Sequence, residues 1–385
     1  MRPAQVARVI GFNLALLLGM LLALEMLLRL AGVRFPAFYQ PERERGYGLR
    51  PGATGLWTRE GRGRVTISPD GLRDRIHDRH PAPGVRRVAL LGDSFSEALQ
   101  VNLEQSWWKR LELRLNRQTP CAFRKGFPAG VEIINFGVGG YGTGQQLLTW
   151  RLKARDQRPN TVVLAMYLGN DIQDNTPRPR QDQPVFRLGP DGTLAIDNSF
   201  RDSPGSRFRF SALGRGLNRL LNHSALLQLA NEAKNRWGGR QPLGRSAPST
   251  PGLHLERDDP SGWALTEALL RQLRDEVTAT GAQLLVTSLS TPEQLWPDRG
   301  ERQAFFRRMG EAPFAREQRL AGLLGALQVP YIPLAEAMRE QADQNRLIAH
   351  GFQGQQLGVG HWNVTGHRLA AELLARRLCN PEGAP

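Results

Sequence analysis

From Val9 to Val33 the chain reads VIGFNLALLLGMLLALEMLLRLAGV, with no charge between Arg8 and Glu25. A helix that spans the hydrocarbon of a bilayer needs about 20 mostly apolar residues, and this stretch reaches that length if Glu25 and Arg29 lie near one interface. Their i,i+4 spacing lets them pair on one helix face, which lowers the cost of placing them there. Residues 1–34 are therefore read as an uncleaved membrane anchor. The alternative is a cleaved signal peptide led by Arg2 and Arg8, although no clear small-x-small site precedes the RFPAF stretch at residues 34–38. Arg29, Arg34, Arg43 and Arg45 after the segment rival Arg2 and Arg8 before it, so the positive-inside rule does not fix the orientation. A very short tail before the anchor and a large domain after it suit a signal anchor. The expected location is the inner membrane, single-pass, with the body on the periplasmic or outer side.

Residues 35–84 are rich in Arg, Gly and Pro, with one short alternating run at Arg64–Ser68 and a Pro69-Asp70-Gly71 turn signal. They read as a linker ending in a small extension. From Arg86 onward apolar runs alternate with amphipathic segments. Strands are predicted at Arg87–Leu91, Val131–Asn135, Thr161–Tyr167, Gln283–Ser288 and Val329–Ile332. Helices are predicted at Leu103–Gln118, Gln145–Gln157 and about 261–280, 301–327 and 363–378. Short apolar runs separated by helices of this length argue for a parallel sheet covered on both faces. The fold class is thus α/β, a parallel sheet of five strands occupying residues 85–385, for which the doubly wound, flavodoxin-like order 2-1-3-4-5 is the expected arrangement. Between about 176 and 260 the alternation lapses into a Pro-, Arg- and Gly-rich insertion with one predicted helix at Leu213–Trp237. An insertion at the C-terminal end of a strand is placed to cover a site there. No internal repeat or heptad seam is present.

Length and composition narrow the classes. A chain of 385 residues that is 40% apolar has ample material for a core. The formal net charge of +15 brings nucleic acid and anionic surfaces into view. However, 47 of the 51 basic residues are Arg, a skew that an Arg-rich proteome produces without a binding role. No interleaving of aromatic with basic residues is visible, so nucleic acid is not an expected partner. The segment 177–257 carries +7 of the charge, which suits a basic surface beside an anionic membrane or acidic glycan. The two cysteines, Cys121 and Cys379, rule out a disulfide scaffold or zinc framework. Cys121 follows the first predicted helix of the domain and Cys379 ends the last; in the order 2-1-3-4-5 those helices are neighbours on one face. One disulfide and two inert thiols both remain open.

Four motifs carry candidate chemistry. Gly92-Asp93-Ser94-Phe95 follows the first strand of the domain, where a serine on a tight turn presents its hydroxyl above the sheet. An ordinary turn with a helix-capping serine has the same sequence. Residues 135–143, NFGVGGYGT, satisfy G-x-G-x-x-G at Gly137, Gly139 and Gly142. For a dinucleotide site the loop follows the wrong strand, and the next strand ends without an acid for a ribose hydroxyl, so that fingerprint is incomplete. Leu168-Gly169-Asn170-Asp171 follows the third strand; the Asn amide is a neutral donor suited to an oxyanion, and an Asn-Asp turn is the plain alternative. Gly360-His361-Trp362-Asn363 enters the last helix, where an imidazole can serve as general base. His367, on that helix, is expected to make a structural hydrogen bond.

In this order and placement, Ser, Gly, Asn and His resemble the four blocks of the SGNH (GDSL-like) hydrolase family over about residues 86–379. The resemblance implies Ser94 as nucleophile and His361 as base. It implies an oxyanion hole made by the Ser94 N–H, the Gly140 N–H and the Asn170 side chain, with Gly139 as the fallback for Gly140. No metal or organic cofactor is implied. The family usually carries an Asp two or three residues before its His, and here those positions are Val359 and Gly358. The ring then needs another acceptor, a backbone carbonyl or a carboxylate such as Glu336 or Asp343, and the form expected is a Ser–His dyad of reduced activity, with loss of activity as the alternative. The implied function is a serine ester hydrolase at the cell envelope, an O-acyl or O-acetyl esterase or an acyltransferase. Its expected partners are the membrane and an acylated glycan or lipid substrate. The alternative is a catalytically weak or inactive glycan-binding or assembly protein.

Overall fold

The computed structural model of the chain describes residues 3–176, 182–238, 255 and 260–381. Its centre is a sheet of five parallel strands, β1 (Val85–Leu91), β2 (Gly130–Asn135), β3 (Thr161–Tyr167), β4 (Gln283–Leu289) and β5 (Tyr331–Pro333), in the order 2-1-3-4-5. This is the predicted architecture. Side chains alternate between the faces with the period of two that a strand imposes. Ala89, Leu91, Val162, Leu164 and Met166 face one core, and Val88, Leu90, Val163 and Ala165 face the other. Burial on both faces explains why these runs read as continuously apolar.

The helices, in chain order, begin with α1 (Pro3–Leu30), then α2 (Ser94–Glu97), α3 (Trp107–Arg117) and α4 (Thr143–Thr149). The insertion contains α5 (Pro204–Phe210), α6 (Ala212–His223) and α7 (Ala225–Gly238); α8 (Pro260–Thr278), α9 (Arg299–Met309), α10 (Ala315–Ala326), α11 (Ala335–Asn345) and α12 (Val364–Cys379) complete the fold. Leu147, Leu269 and Leu324 of α4, α8 and α10 build the first core. Trp107, Met338 and Leu374 of α3, α11 and α12 build the second. The helix predicted at 301–327 is two, because Gly310 closes α9 in the left-handed conformation and Pro313 follows. The one predicted at Leu213–Trp237 breaks at Ser224, whose backbone is extended. Helix α11 has no counterpart among the predicted helices. Cys121 and Cys379 form a disulfide that ties the segment after α3 to the end of α12.

Residues 35–84, read as a linker with a small extension, are in fact packed structure. One hairpin pairs Tyr39–Glu42 with Gly46–Leu49 and a second pairs Thr54–Trp57 with Gly63–Thr66. Phe38, Tyr47, Leu49, Trp57, Val65 and Ile67 bury a core of their own against Leu99, Val138 and Tyr141 of the main domain. High Arg, Gly and Pro content masks this, because each strand is only four residues long and too short to show a period. Helix α1 is long and apolar enough to cross a membrane, and none of its most apolar stretch is buried in the rest of the chain. Glu25 and Arg29 pair as their spacing predicts, at 2.6 Å.

Candidate active site

The site is assembled where β1 ends, between its neighbours β2 and β3, at the point where the strand order reverses. Gly92 is required there by space, since a Cβ would come within 2.4 Å of Ser96 Oγ. Asp93 caps α2 by accepting the Phe95 N–H at 2.9 Å, and Ser94 begins the helix. The far end of α2 is held by Arg73, a fully buried guanidinium that donates to the carbonyls of Glu97, Ala98 and Val101 at 3.1, 2.6 and 2.6 Å. A cation there is favoured by the partial negative charge of the carbonyls at the end of α2 and in the turn after it. Burial lowers Arg73 to about 10, so the group remains charged at neutral pH.

His361 arrives on the short strand Leu357–Trp362, paired with His350–Gly351 and followed at once by α12. Asn363 caps α12 by accepting the Thr365 and Gly366 N–H groups while its amide donates to the carbonyls of Ile348 and Gly351. That fixes the backbone just after His361. Phe95 packs on the imidazole with ring centroids 4.8 Å apart and stacks on Tyr167 at 4.4 Å. His361 Nε2 lies 2.7 Å from Ser94 Oγ. His367, as expected, is structural: its Nδ1 accepts the Trp107 N–H at 3.2 Å.

The carboxylate on His361 is Glu60. Its Oε2 is 2.5 Å from His361 Nδ1, and its Oε1 accepts the His361 backbone N–H at 2.7 Å. Neither sequence candidate fills this place, since Asp343 is paired with Arg302 at 2.7 Å and Glu336 lies in the first turn of α11. Glu60 sits in the turn of the second hairpin. That turn is seated by Gly61 N–H donating to Gln355 Oε1 (2.9 Å) and Arg62 N–H donating to the Gln100 carbonyl (3.0 Å). Gly360 makes the approach possible. Its φ is +82° and a Cβ would lie 2.2 Å from Glu60 Oε1. Gly360→Ala is expected to cost about 1–2 kcal/mol in backbone strain alone and to displace the carboxylate. A shift near 1 Å in such a site costs about 10²-fold in rate; a lowered melting temperature together with a reduced kcat would show both effects.

The electrostatics follow from burial. Burial works against charge on His361, but the Glu60 carboxylate outweighs it and holds the imidazole above its ordinary value. Burial pushes Asp93 up to about 6 and Glu97 up to about 7. Glu97 accepts from Tyr39 Oη at 2.7 Å. Gly140 stands in the loop after β2 with φ +77°. Asn170, after β3, donates its amide to Asp174 Oδ2 at 2.6 Å. The remaining glycines of that loop serve chain-to-chain contact: a Cβ on Gly137 would lie 2.7 Å from Ser96 Cβ, and one on Gly142 would lie 2.8 Å from Asn175 Oδ1. These approaches account for Gly137 and Gly142 of the G-x-G-x-x-G spacing without a nucleotide. Among the described residues no group of three or more His, Cys, Asp or Glu is arranged to hold a metal ion.

No protein-family model matches the chain, and no curated protein does. Solved structures with similar folds include a catalytic mutant of an acetylxylan esterase from Geobacillus stearothermophilus, at 12% identity and TM-score 0.38 over 76% of this chain and 94% of that one. An α/β hydrolase from the metagenome of Lake Arreo, Spain, matches at 13% identity and TM-score 0.39, over 77% and 96%. A two-domain esterase active on acetylated mannans matches at 11% identity and TM-score 0.37, over 78% of this chain and 51% of the other. Likeness at this level carries no information about chemistry.

Proposed function

We propose that the chain is a serine ester hydrolase or acyltransferase that works through Ser94, His361 and Glu60. The observation that carries this reading is the continuous line of hydrogen bonds from Ser94 Oγ through both ring nitrogens of His361 to Glu60. A nucleophile bonded to a base, with the base bonded to an orienting acid, is the arrangement that activates a hydroxyl for acyl transfer. Ser94 Oγ attacks the ester carbonyl as its proton passes to His361 Nε2. Glu60 accepts Nδ1–H throughout and stabilises the imidazolium. The tetrahedral oxyanion is held by the Ser94 and Gly140 N–H groups and the Asn170 amide. The alcohol leaves with the proton from Nε2. Water or an acceptor hydroxyl then gives its proton to Nε2 and resolves the acyl-enzyme.

The reading as a weak or inactive binding protein is motivated by the missing acid before His361, and the Glu60 carboxylate on Nδ1 supports the catalytic reading over it. Helix α1 anchors the enzyme in the membrane with the body on the outer side. The substrates that fit this placement are O-acyl groups of envelope polysaccharide or lipid esters. A fluorophosphonate probe incubated with the full chain in detergent is expected to label one residue, identified as Ser94 by peptide mass. Wild-type protein that takes no label would overturn the enzymatic reading.

A further inference from the structure

The insertion meets the membrane helix at a defined joint. Glu25 of α1 caps the N-terminus of α7, accepting the Ala225 and Leu226 N–H groups at 3.0 and 2.9 Å and the Ser224 hydroxyl at 2.8 Å. Arg29 Nη2 donates to the carbonyl of His223, the last residue of α6, at 2.5 Å. An anion at a helix N-terminus and a cation at a helix C-terminus are each favoured by the exposed peptide groups there. The two charges that end the apolar span of α1 are thus the charges that hold α6 and α7.

On α6, Leu213, Leu217, Leu220 and Leu221 fall at i, i+4, i+7 and i+8, one side of a helix. All four are exposed, Leu213 by 66% and Leu220 by 57%, and Phe208 of α5 is exposed beside them. Leu217 and Leu221 also border a hollow of about 340 Å³ that Phe35, Phe38 and Trp57 line from the segment following α1. Arg215 and Arg219 occupy the opposite flank of α6 and are exposed. An apolar stripe with flanking arginines is the composition of a helix that lies in a membrane interface, its long cationic side chains reaching to headgroups.

We infer that α6 lies on the bilayer surface that α1 enters, with its leucine face among the acyl chains and its arginines at anionic headgroups. The inference rests on the reading of α1 as membrane-spanning. Continuity supports a bilayer as the occupant, because the end of α6 is bonded to the residue that ends the apolar span. The charge supports an anionic leaflet. The consequence is a body held at a fixed angle to the membrane rather than swinging on a tether.

The test uses the full chain reconstituted in phosphatidylcholine–phosphatidylglycerol vesicles. Single nitroxide labels go on Leu213→Cys, Leu220→Cys, Leu18→Cys in α1 and Leu113→Cys on exposed α3, with Cys121 and Cys379 left paired. Collision with oxygen, which concentrates in lipid, is compared with collision with a water-soluble nickel chelate. Labels at 213 and 220 are expected to show an oxygen-to-chelate ratio severalfold above that at 113 and to follow the label at 18. If 18 is lipid-accessible while 213 and 220 match 113, the interfacial helix is refuted and the anchor stands. Protection of 213 and 220 from both reagents would also refute it, pointing to a protein cover such as a second copy. If 18 itself matches 113, the anchor fails and the inference falls with it.

Discussion

Ser94→Ala and His361→Ala, each alone, are expected to lower kcat for p-nitrophenyl acetate by about 10⁵–10⁶-fold, and the double variant to fall no further. The reason is that the two side chains act as one unit: without the imidazole, Ser94 keeps its proton, and without the hydroxyl, the base has nothing to activate. The 2.7 Å contact between Oγ and Nε2 is short enough for direct proton transfer. A residual rate of roughly 10³–10⁴ over water should persist, from the oxyanion donors and from binding. Losses that multiply in the double variant would mean that the two residues act independently, and the proposed coupling would be wrong. Ser94→Ala should not destabilise the fold, because Ser94 is half-buried at the first turn of α2 and the cap on that helix is the Asp93 side chain.

How much of this is legible in the sequence depends on the range of the interactions involved. The five strands follow from local periodicity, since a buried parallel strand shows its burial in its own residues, whereas their order belongs to the doubly wound class rather than to any strand's own residues. Ser94 and His361 are visible because each sits beside a glycine that a close approach demands: Gly92 by Ser96 in the same turn, and Gly360 by Glu60 from far along the chain. Glu60 itself is hidden. It lies 301 residues from His361, in a hairpin whose strands are four residues long, and nothing near it distinguishes it from Glu42 or Glu44. Arg73 is hidden for the same reason, being one of many arginines until three carbonyls at the end of α2 are placed around it. Two signals are present but faint. The Arg64–Ser68 alternation marks one strand of the hairpin, and the glycine before His361 marks a place where something must come close. Glu25 and Arg29 are legible as a pair, whereas their second partners, the ends of α6 and α7, lie 194 and 200 residues away.

Glu60→Gln is the variant that separates an orienting acid from a structural neighbour. Gln keeps the size of the side chain and a carbonyl oxygen but loses the charge, and its amide presents N–H where His361 Nδ1–H needs an acceptor. The wrong tautomer then places a proton on Nε2, facing Ser94, and in a triad this costs about 10⁴ in kcat. The pH dependence adds a readout that packing alone would not move. The base works only as neutral imidazole, so the rate rises as pH passes upward through the pKa of His361. In the wild type Glu60 raises that pKa, so the rising limb should lie above the ordinary imidazole value of about 6.5. In Glu60→Gln the raising charge is gone while burial still disfavours the imidazolium, so the limb should move to lower pH as the maximum falls. Measuring kcat/KM from about pH 5 to 9, the range in which imidazole titrates, checks the sign for both proteins. A fall in rate with an unmoved limb would leave Glu60 a packing residue and return His361 to a dyad with Ser94.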